Sequence, residues 1–118
     1  MGKKFIITFT GDTSLGDRYI QKSKMKDLFQ RLESYPESFF KEIKTIINDS
    51  DYLILNLETV LADNPEIVFI DKKYPNSDKA ERLLKLFKSI GVTAVSLANN
   101  HSMDFGSNIM LKTKELLQ

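Results

Sequence analysis

The sequence contains no cysteine and no tryptophan, and its 118 residues include a single histidine, His101. Without cysteine the chain can form neither disulfides nor thiolate metal sites, and it has no thiol nucleophile. The same absence fits a reducing compartment, and we expect a cytoplasmic protein or a fragment that has lost its targeting segment. Any chemistry that needs an imidazole must use His101.

Long apolar runs and excess charge of one sign are also lacking. No stretch approaches the roughly 18 consecutive apolar residues of a membrane helix. The apolar stretch after Lys3 and Lys4 is too short for a signal peptide. The formal net charge is +1, so there is no electrostatic reason to expect a nucleic-acid partner. The hydrophobic content of 42% is typical of a globular chain.

Three apolar stretches predict the strands of a sheet, at residues 5–9, 52–55 and 92–98. The third is short, β-branched and nearly uncharged, which is typical of a strand buried on both faces. Residues 61–76 form the least regular part of the chain, with a further short strand predicted at 67–70.

Most of the sequence between these predicted strands has the periodicity of amphipathic helices. In the clearest helix, Asp78 is expected to cap the start and Gly91 to follow the end. Strands that alternate with helices predict right-handed crossovers, and therefore an α/β fold with a largely parallel sheet and flanking helices. The apolar positions expected to be buried by this helix are Leu83, Leu84, Phe87 and Ile90.

Each predicted strand is followed by a polar cluster: Gly11-Asp12, Asn56-Leu57-Glu58 and Asn99-Asn100-His101. In a parallel sheet all three clusters lie along one edge, where α/β proteins bind ligands. Carboxylate and amide oxygens suit hard divalent cations, and imidazole extends the choice to zinc and iron. The pattern predicts a metal site of the kind that two-metal hydrolases use.

Each cluster taken alone has a simpler interpretation. Gly11-Asp12-Thr13 is a common turn sequence, and asparagines tolerate left-handed conformations. A lone histidine is more often a hydrogen-bonded structural residue than a catalyst. The recurrence of three clusters at one topological position favours a site. A phosphate-binding loop is disfavoured, because Asp17 and Arg18 stand where lysine and serine or threonine are needed.

The motifs at residues 11–17, 56–58 and 97–106 resemble the bacterial capsule-synthesis proteins of the CapA type, which are associated with poly-γ-glutamate capsules. That family is similar to a branch of the calcineurin-like metallophosphoesterases. The resemblance implies the N-terminal portion of a metallophosphatase-like αββα sandwich. It also implies a metal-dependent, phosphoesterase-like hydrolase site in capsule biosynthesis.

The resemblance further implies a role for each site residue. Asp12 is the expected ligand of a first metal ion, Glu58 the bridging carboxylate, and Asn100 a ligand of a second ion. His101 is the expected general acid or charge stabiliser, and Asp104 is expected to hold its ring in one tautomer. The resemblance leaves the metal open among manganese, zinc, iron and magnesium.

The chain departs from the family because no histidine follows His101 to complete the metal shell. We therefore expect residues 1–118 to form a single partial domain, truncated on its C-terminal side. Two functions stay open: a hydrolase acting on a phosphoester or an anionic polymer, and a non-catalytic binding module for an anionic polymer or a partner subunit. A homo-oligomer or a partner that supplies the missing ligands is a third hypothesis.

Overall fold

Strands and helices alternate along the chain. The computed structural model describes residues 2–22 and 24–118. The main sheet has three parallel strands in the order β1-β2-β5, and β3 pairs with β4 separately. This confirms the predicted α/β fold. The elements are β1 (Ile7–Thr13), α1 (Asp17–Ile20), α2 (Lys26–Ser34), a 3₁₀ helix (Pro36–Phe40), α3 (Lys41–Ile47), β2 (Tyr52–Leu57), β3 (Val60–Leu61), β4 (Ser77–Asp78), α4 (Ala80–Ile90), β5 (Ala94–Ser96) and α5 (Ser107–Leu116).

The hydrophobic core lies on one face of the sheet, between the central strand β2 and helix α4. Leu53, Leu55 and Leu57 alternate along β2 and are all buried, as the period of two in a strand requires. Each fully buried leucine contributes about 1.5 to 3 kcal/mol to stability. The residues that α4 adds to this core are Leu83, Leu86, Phe87 and Ile90, while Leu84 is only partly buried.

Helix α4 ends as predicted but begins differently. Gly91 adopts a left-handed conformation with φ of 80°, and the N–H of Val92 donates to the Phe87 carbonyl. The expected Asp78 cap is wrong. Asp78 lies in β4, Lys79 is the N-cap residue, and no side chain caps the helix. The Asp78 carboxylate instead binds main-chain N–H groups more than 60 residues away in the chain.

The opposite face of the sheet is exposed among the described residues. Ile7 and Phe9 in β1 are 50% and 74% exposed, and Ala94 and Ser96 in β5 are also exposed. The prediction that residues 92–98 form a strand buried on both faces is therefore wrong. The strand is shorter and lies at the edge of the sheet, with helices packed on one face only.

Three other strand predictions also need correction. The first two strands continue into polar residues, to Thr13 and Leu57, whereas the apolar stretches end at residues 9 and 55. Main-chain pairing between β1 and β2 extends both strands, and pairing does not require apolar side chains. Residues 67–70 form no strand. No helix of the described residues is long and apolar enough to span a membrane.

Candidate functional site at the strand ends

A β-bulge in β1 determines where Asp12 lies. Phe9 pairs with Ile54 and Asp12 pairs with Asn56, so β1 has one residue more than β2 over this interval. Side chains alternate along a regular strand, so a separation of three residues would place Asp12 on the opposite face from Phe9. The bulge keeps Asp12 on the exposed face and turns Thr13 to the buried face, where it is 9% exposed.

Three side chains form a hydrogen-bonded row across the ends of the three parallel strands. Asn56 Nδ2 donates to Asp12 Oδ1 at 2.7 Å. Asn99 Nδ2 donates to Asn56 Oδ1 at 3.0 Å and to the Leu57 carbonyl at 2.9 Å. The three polar clusters that the sequence singles out therefore meet at one edge of the sheet.

The turn after β5 begins at Asn99, the last member of this row. Asn99 Oδ1 accepts the N–H of His101 at 3.0 Å, and the Ser102 hydroxyl donates to the Leu97 carbonyl. These contacts fold residues 99–106 into a tight turn. The His101 ring then faces the carboxylate of Asp104 within the same turn.

His101 and Asp104 form a close pair, with 2.6 Å between His101 Nδ1 and Asp104 Oδ2. Asp104 is 1% exposed, and its Oδ2 also accepts the N–H of Asn76 at 2.6 Å. A carboxylate only accepts hydrogen bonds, so this contact favours the tautomer of a neutral ring in which Nδ1 carries the proton and Nε2 is the acceptor. The catalytic role assigned to this pair stays a prediction.

The other two predicted ligands, Glu58 and Asn100, are held by hydrogen bonds to their main chain. Glu58 is half-buried; its N–H donates to the Thr13 carbonyl at 3.1 Å, and its carbonyl accepts Asn76 Nδ2 at 2.9 Å. Asn100 is exposed, and its main-chain oxygen accepts Lys72 Nζ at 2.8 Å. The contacts fix the main chain of both residues, and their roles as ligands stay predictions.

The segment 62–76, here called the strap, contributes two residues to the site that sequence reasoning missed. Lys72 Nζ lies 2.5 Å from Asp104 Oδ1. Asn76 Nδ2 donates to Ser14 Oγ at 2.9 Å and to the Glu58 carbonyl, so Asn76 joins all three strand ends. The strap has no periodicity, and the sequence offers no local signal that distinguishes these two residues.

The described residues do not by themselves form a metal site. Asp12 is exposed, and one of its oxygens accepts only an amide N–H. Asn76 Oδ1 is buried with no hydrogen-bond partner among the described residues. Over residues 2–22 and 24–118, however, no group of three or more His, Asp or Glu side chains lies close enough to hold an ion. A metal centre here needs further ligands.

A second pair of carboxylates, Asp17 and Asp78, fixes the segment that follows β1. We call this pair of carboxylates the clasp. Asp78 accepts the N–H groups of Leu15 at 2.9 Å and of Asp17 at 2.8 Å. Asp17 in turn accepts the N–H of Lys79 at 2.8 Å and pairs with Arg82. Both carboxylates are almost fully buried, at 2% and 0% exposure.

Burial dominates the electrostatics of the clasp. It raises the pKa of the Asp78 carboxyl to about 6, from an ordinary value of 3.8, although the donated N–H groups oppose this shift. Glu33 lies at the rim, where hydrogen bonds from Lys79 and Arg82 lower the pKa of its carboxyl. The clasp therefore anchors the segment after Asp12 without adding a ligand to the strand-end site.

Comparison with known proteins matches almost the whole chain. The family model described as bacterial capsule synthesis protein PGA_cap matches residues 6–118. The PGA biosynthesis protein CapA of Bacillus subtilis (strain 168) is 31% identical over 112 residues, which is 90% of this chain and 26% of that protein. The capsule biosynthesis protein CapA of Bacillus anthracis is 28% identical over 111 residues, 89% of this chain and 24% of that protein. The chain thus spans about a quarter of these relatives.

Proposed function

Because the chain belongs to the bacterial capsule synthesis protein PGA_cap family, we propose that it acts in capsule biosynthesis through a metal-dependent hydrolase-type site. The residues of this chain supply one part of that site. The names of its relatives suggest poly-γ-glutamate as the polymer concerned. The substrate would be a phosphoester or an anionic polymer.

One observation carries the proposal: the His101–Asp104 pair lies in the turn that begins at Asn99, the last member of the row of side chains at the carboxyl ends of the parallel strands. A histidine with Nδ1 bonded to a buried carboxylate presents Nε2 for proton transfer. Ligands of α/β proteins bind at this edge of the sheet. The arrangement supports acid–base chemistry at an edge of the sheet that also carries an exposed carboxylate.

The proposed roles follow the sequence predictions. Asp12, Glu58 and the side-chain oxygen of Asn100 would hold manganese, zinc, iron or magnesium, with further ligands from outside the described residues. A bound divalent ion would supply Lewis acidity towards an anionic substrate. His101 would exchange a proton with the substrate through Nε2, and Asp104 would keep Nδ1 protonated. A second copy of the chain or a partner subunit would be a source of the remaining ligands.

Manganese-dependent stabilisation tests the metal site. A ligand at a hundred times its Kd stabilises the folded state by about 2.7 kcal/mol. We expect saturating Mn²⁺ to raise the Tm of the full 118-residue chain, and the gain to disappear in Asp12→Asn and in Glu58→Gln. Asp27→Asn, an exposed aspartate in α2, is the matched control and should keep the gain. An equal Mn²⁺ response in Asp12→Asn and the wild type would contradict the assignment.

A non-catalytic binding module is the second candidate, and one observation favours it. No cluster of three acidic or imidazole side chains able to hold an ion exists within residues 2–22 and 24–118. Two assays separate the hydrolase from the binding module. Fluorescence anisotropy measures binding of poly-γ-glutamate, and hydrolysis of bis-p-nitrophenyl phosphate measures turnover. Metal-dependent turnover that is lost in His101→Ala supports the hydrolase. Polymer binding without turnover, at every Mn²⁺ concentration, supports the binding module.

A further inference from the structure

Asn76 connects the strap to the ends of β1 and β2 through a single nitrogen atom. Its Nδ2 donates to the Glu58 carbonyl at 2.9 Å and to Ser14 Oγ at 2.9 Å. Glu58 is a predicted metal ligand, and Ser14 lies two residues after Asp12 in the chain. The Ser14 hydroxyl is therefore a close neighbour of the strand-end site, although neither the sequence patterns nor the proposed function assigns it a role.

These contacts fix the direction of the hydrogen bond at Ser14. A carbonyl oxygen only accepts, so the Glu58 carbonyl requires Asn76 to turn Nδ2, and not Oδ1, towards it. Ser14 Oγ is bonded to the same Nδ2, so it must also be an acceptor. The amide has two N–H groups, and the two oxygens use one each. The hydroxyl proton of Ser14 takes no part in this contact and stays available for another acceptor.

The Ser14 hydroxyl is open to solvent at the edge of the sheet that carries Asp12. Asp12 and Ser14 are both exposed, whereas Thr13 between them is buried. Within residues 2–22 and 24–118, the contact with Asn76 is the one hydrogen bond that the Ser14 hydroxyl makes. The protein thus holds this oxygen in place and leaves its proton for a group that comes from solution.

We propose that Ser14 is a substrate-binding residue whose hydroxyl donates to an anionic oxygen of the substrate, and that Asn76 positions it by donating to its oxygen. The anionic oxygen belongs to a phosphoryl or a carboxylate group, which share this acceptor chemistry. The inference rests on the proposed function, because a cation held by Asp12 and Glu58 is what would draw an anion to this edge of the sheet.

The competing interpretation is that Ser14 only attaches the strap to the end of β1. Under that interpretation, Ser14→Ala lowers the Tm slightly and leaves anion binding unchanged. Under the proposal, anion binding weakens in a protein that stays folded. Because Ser14 is exposed, its replacement by alanine leaves no cavity, and we expect the variant to fold.

Isothermal titration calorimetry of the full chain in Mg²⁺ decides between them, with inorganic phosphate and glutarate as probes. We expect Ser14→Ala to raise the Kd of the more tightly bound probe about tenfold, because it removes one hydrogen bond to a charged acceptor. Ser14→Thr keeps the hydroxyl and should stay within twofold of the wild type. Ser89→Ala is the matched control, because Ser89 is exposed and its hydroxyl donates within α4 to the Leu86 carbonyl.

The choice of probe distinguishes the two sources of the anionic oxygen. Tighter binding of phosphate by the wild type identifies a phosphoryl group, and tighter binding of glutarate identifies a carboxylate. Two results would overturn the inference: a wild type that binds neither probe, or a folded Ser14→Ala variant with the wild-type Kd.

NMR tests the direction of the hydrogen bond without metal or anion. The two Nδ2 protons of Asn76 are identified by the loss of their signals in Asn76→Ala. In Ser14→Ala one of these signals should shift upfield, because its acceptor is gone, while the signal of the proton bonded to the Glu58 carbonyl should change little. If neither signal shifts, Ser14 is not the acceptor and the inference fails.

Kinetics separate this inference from the proposed function. If the wild type hydrolyses bis-p-nitrophenyl phosphate, Ser14→Ala should raise KM, and an unchanged KM would overturn the role of Ser14 while the hydrolase stands. If the wild type shows no turnover at all, the hydrolase proposal fails. Anion binding that is weaker in Ser14→Ala would then still support Ser14 as the binding residue, because calorimetry needs no turnover.

Discussion

The clasp and the strand-end site begin within five residues of each other in the chain but use their carboxylates in opposite ways. In the clasp, Asp17 and Asp78 are buried and bind N–H groups of each other's segments. At the strand ends, Asp12 is exposed and accepts a hydrogen bond from a single side-chain amide. Buried carboxylates that bind main-chain donors hold two chain segments together, whereas a carboxylate with lone pairs open to solvent is available to a ligand.

The largest expected effect comes from removing one member of the clasp. Asp17→Ala should lower the free energy of unfolding by about 3 to 5 kcal/mol, because it leaves the mostly buried Arg82 with only the more exposed Glu33 as a partner and leaves the Lys79 N–H without its acceptor. Asp12→Ala should lower it by less than about 1 kcal/mol, because Asp12 is exposed. Urea denaturation measures both values. Similar losses in the two variants would show that the distinction between the clasp and the strand-end site is wrong.

The pH dependence of stability provides the next test. The pKa of Asp78 is raised to about 6 in the folded protein, from an ordinary value of 3.8. Between these values the native state binds more protons than the unfolded state, so the Asp78 contribution to stability is lost as pH rises from about 4 to about 6. The shift corresponds to about 3 kcal/mol.

Asp78→Asn isolates this contribution. We expect the stability difference between wild type and Asp78→Asn to change by up to that amount over the same pH interval, as measured by urea denaturation at each pH. Asp12→Asn is the control, because Asp12 is exposed and lies outside the clasp. A wild type whose stability profile runs parallel to that of Asp78→Asn would rule out a buried, titrating clasp.

The smallest expected effect belongs to Glu33 at the rim of the clasp. Its pKa is lowered by Lys79 and Arg82, so its contribution is present above its ordinary pKa and is lost as pH falls through the lowered value. Glu33 is 39% exposed, so Glu33→Gln should cost less than about 1 kcal/mol near pH 7. Half a molar salt should reduce that cost. A larger, salt-independent cost would place Glu33 within the buried clasp.

The parts of the fold that the sequence predicts correctly depend on local patterns. Helix α4 follows from apolar residues spaced at three and four positions, and its end follows from Gly91, which accepts a left-handed conformation. The polar clusters at Asp12, Asn56 and Asn99 follow apolar stretches in the chain, and parallel strands bring such ends together. Local periodicity and strand direction are sufficient for these features.

The features that sequence reasoning missed depend on contacts between distant residues. The pattern around Asp78 matches a helix cap, yet its carboxylate binds the N–H groups of Leu15 and Asp17, more than 60 residues away. The extra residue in β1 becomes a bulge only because β2 fixes the register on both sides of it. Neither the Asp78 contacts nor the bulge can be recognised from the residues next to them in the chain.

The sequence by itself determined the α/β class, the main helix and the three polar clusters, because periodicity and turn residues act over a few positions. Only the tertiary structure decided which carboxylates are structural, which face Asp12 occupies, and that Lys72 and Asn76 bind the His101–Asp104 turn. The physical reason is that burial and hydrogen-bond partners are set by chain segments that meet only after folding. A carboxylate has the same side chain in the clasp and at the strand ends, and its surroundings alone distinguish the two.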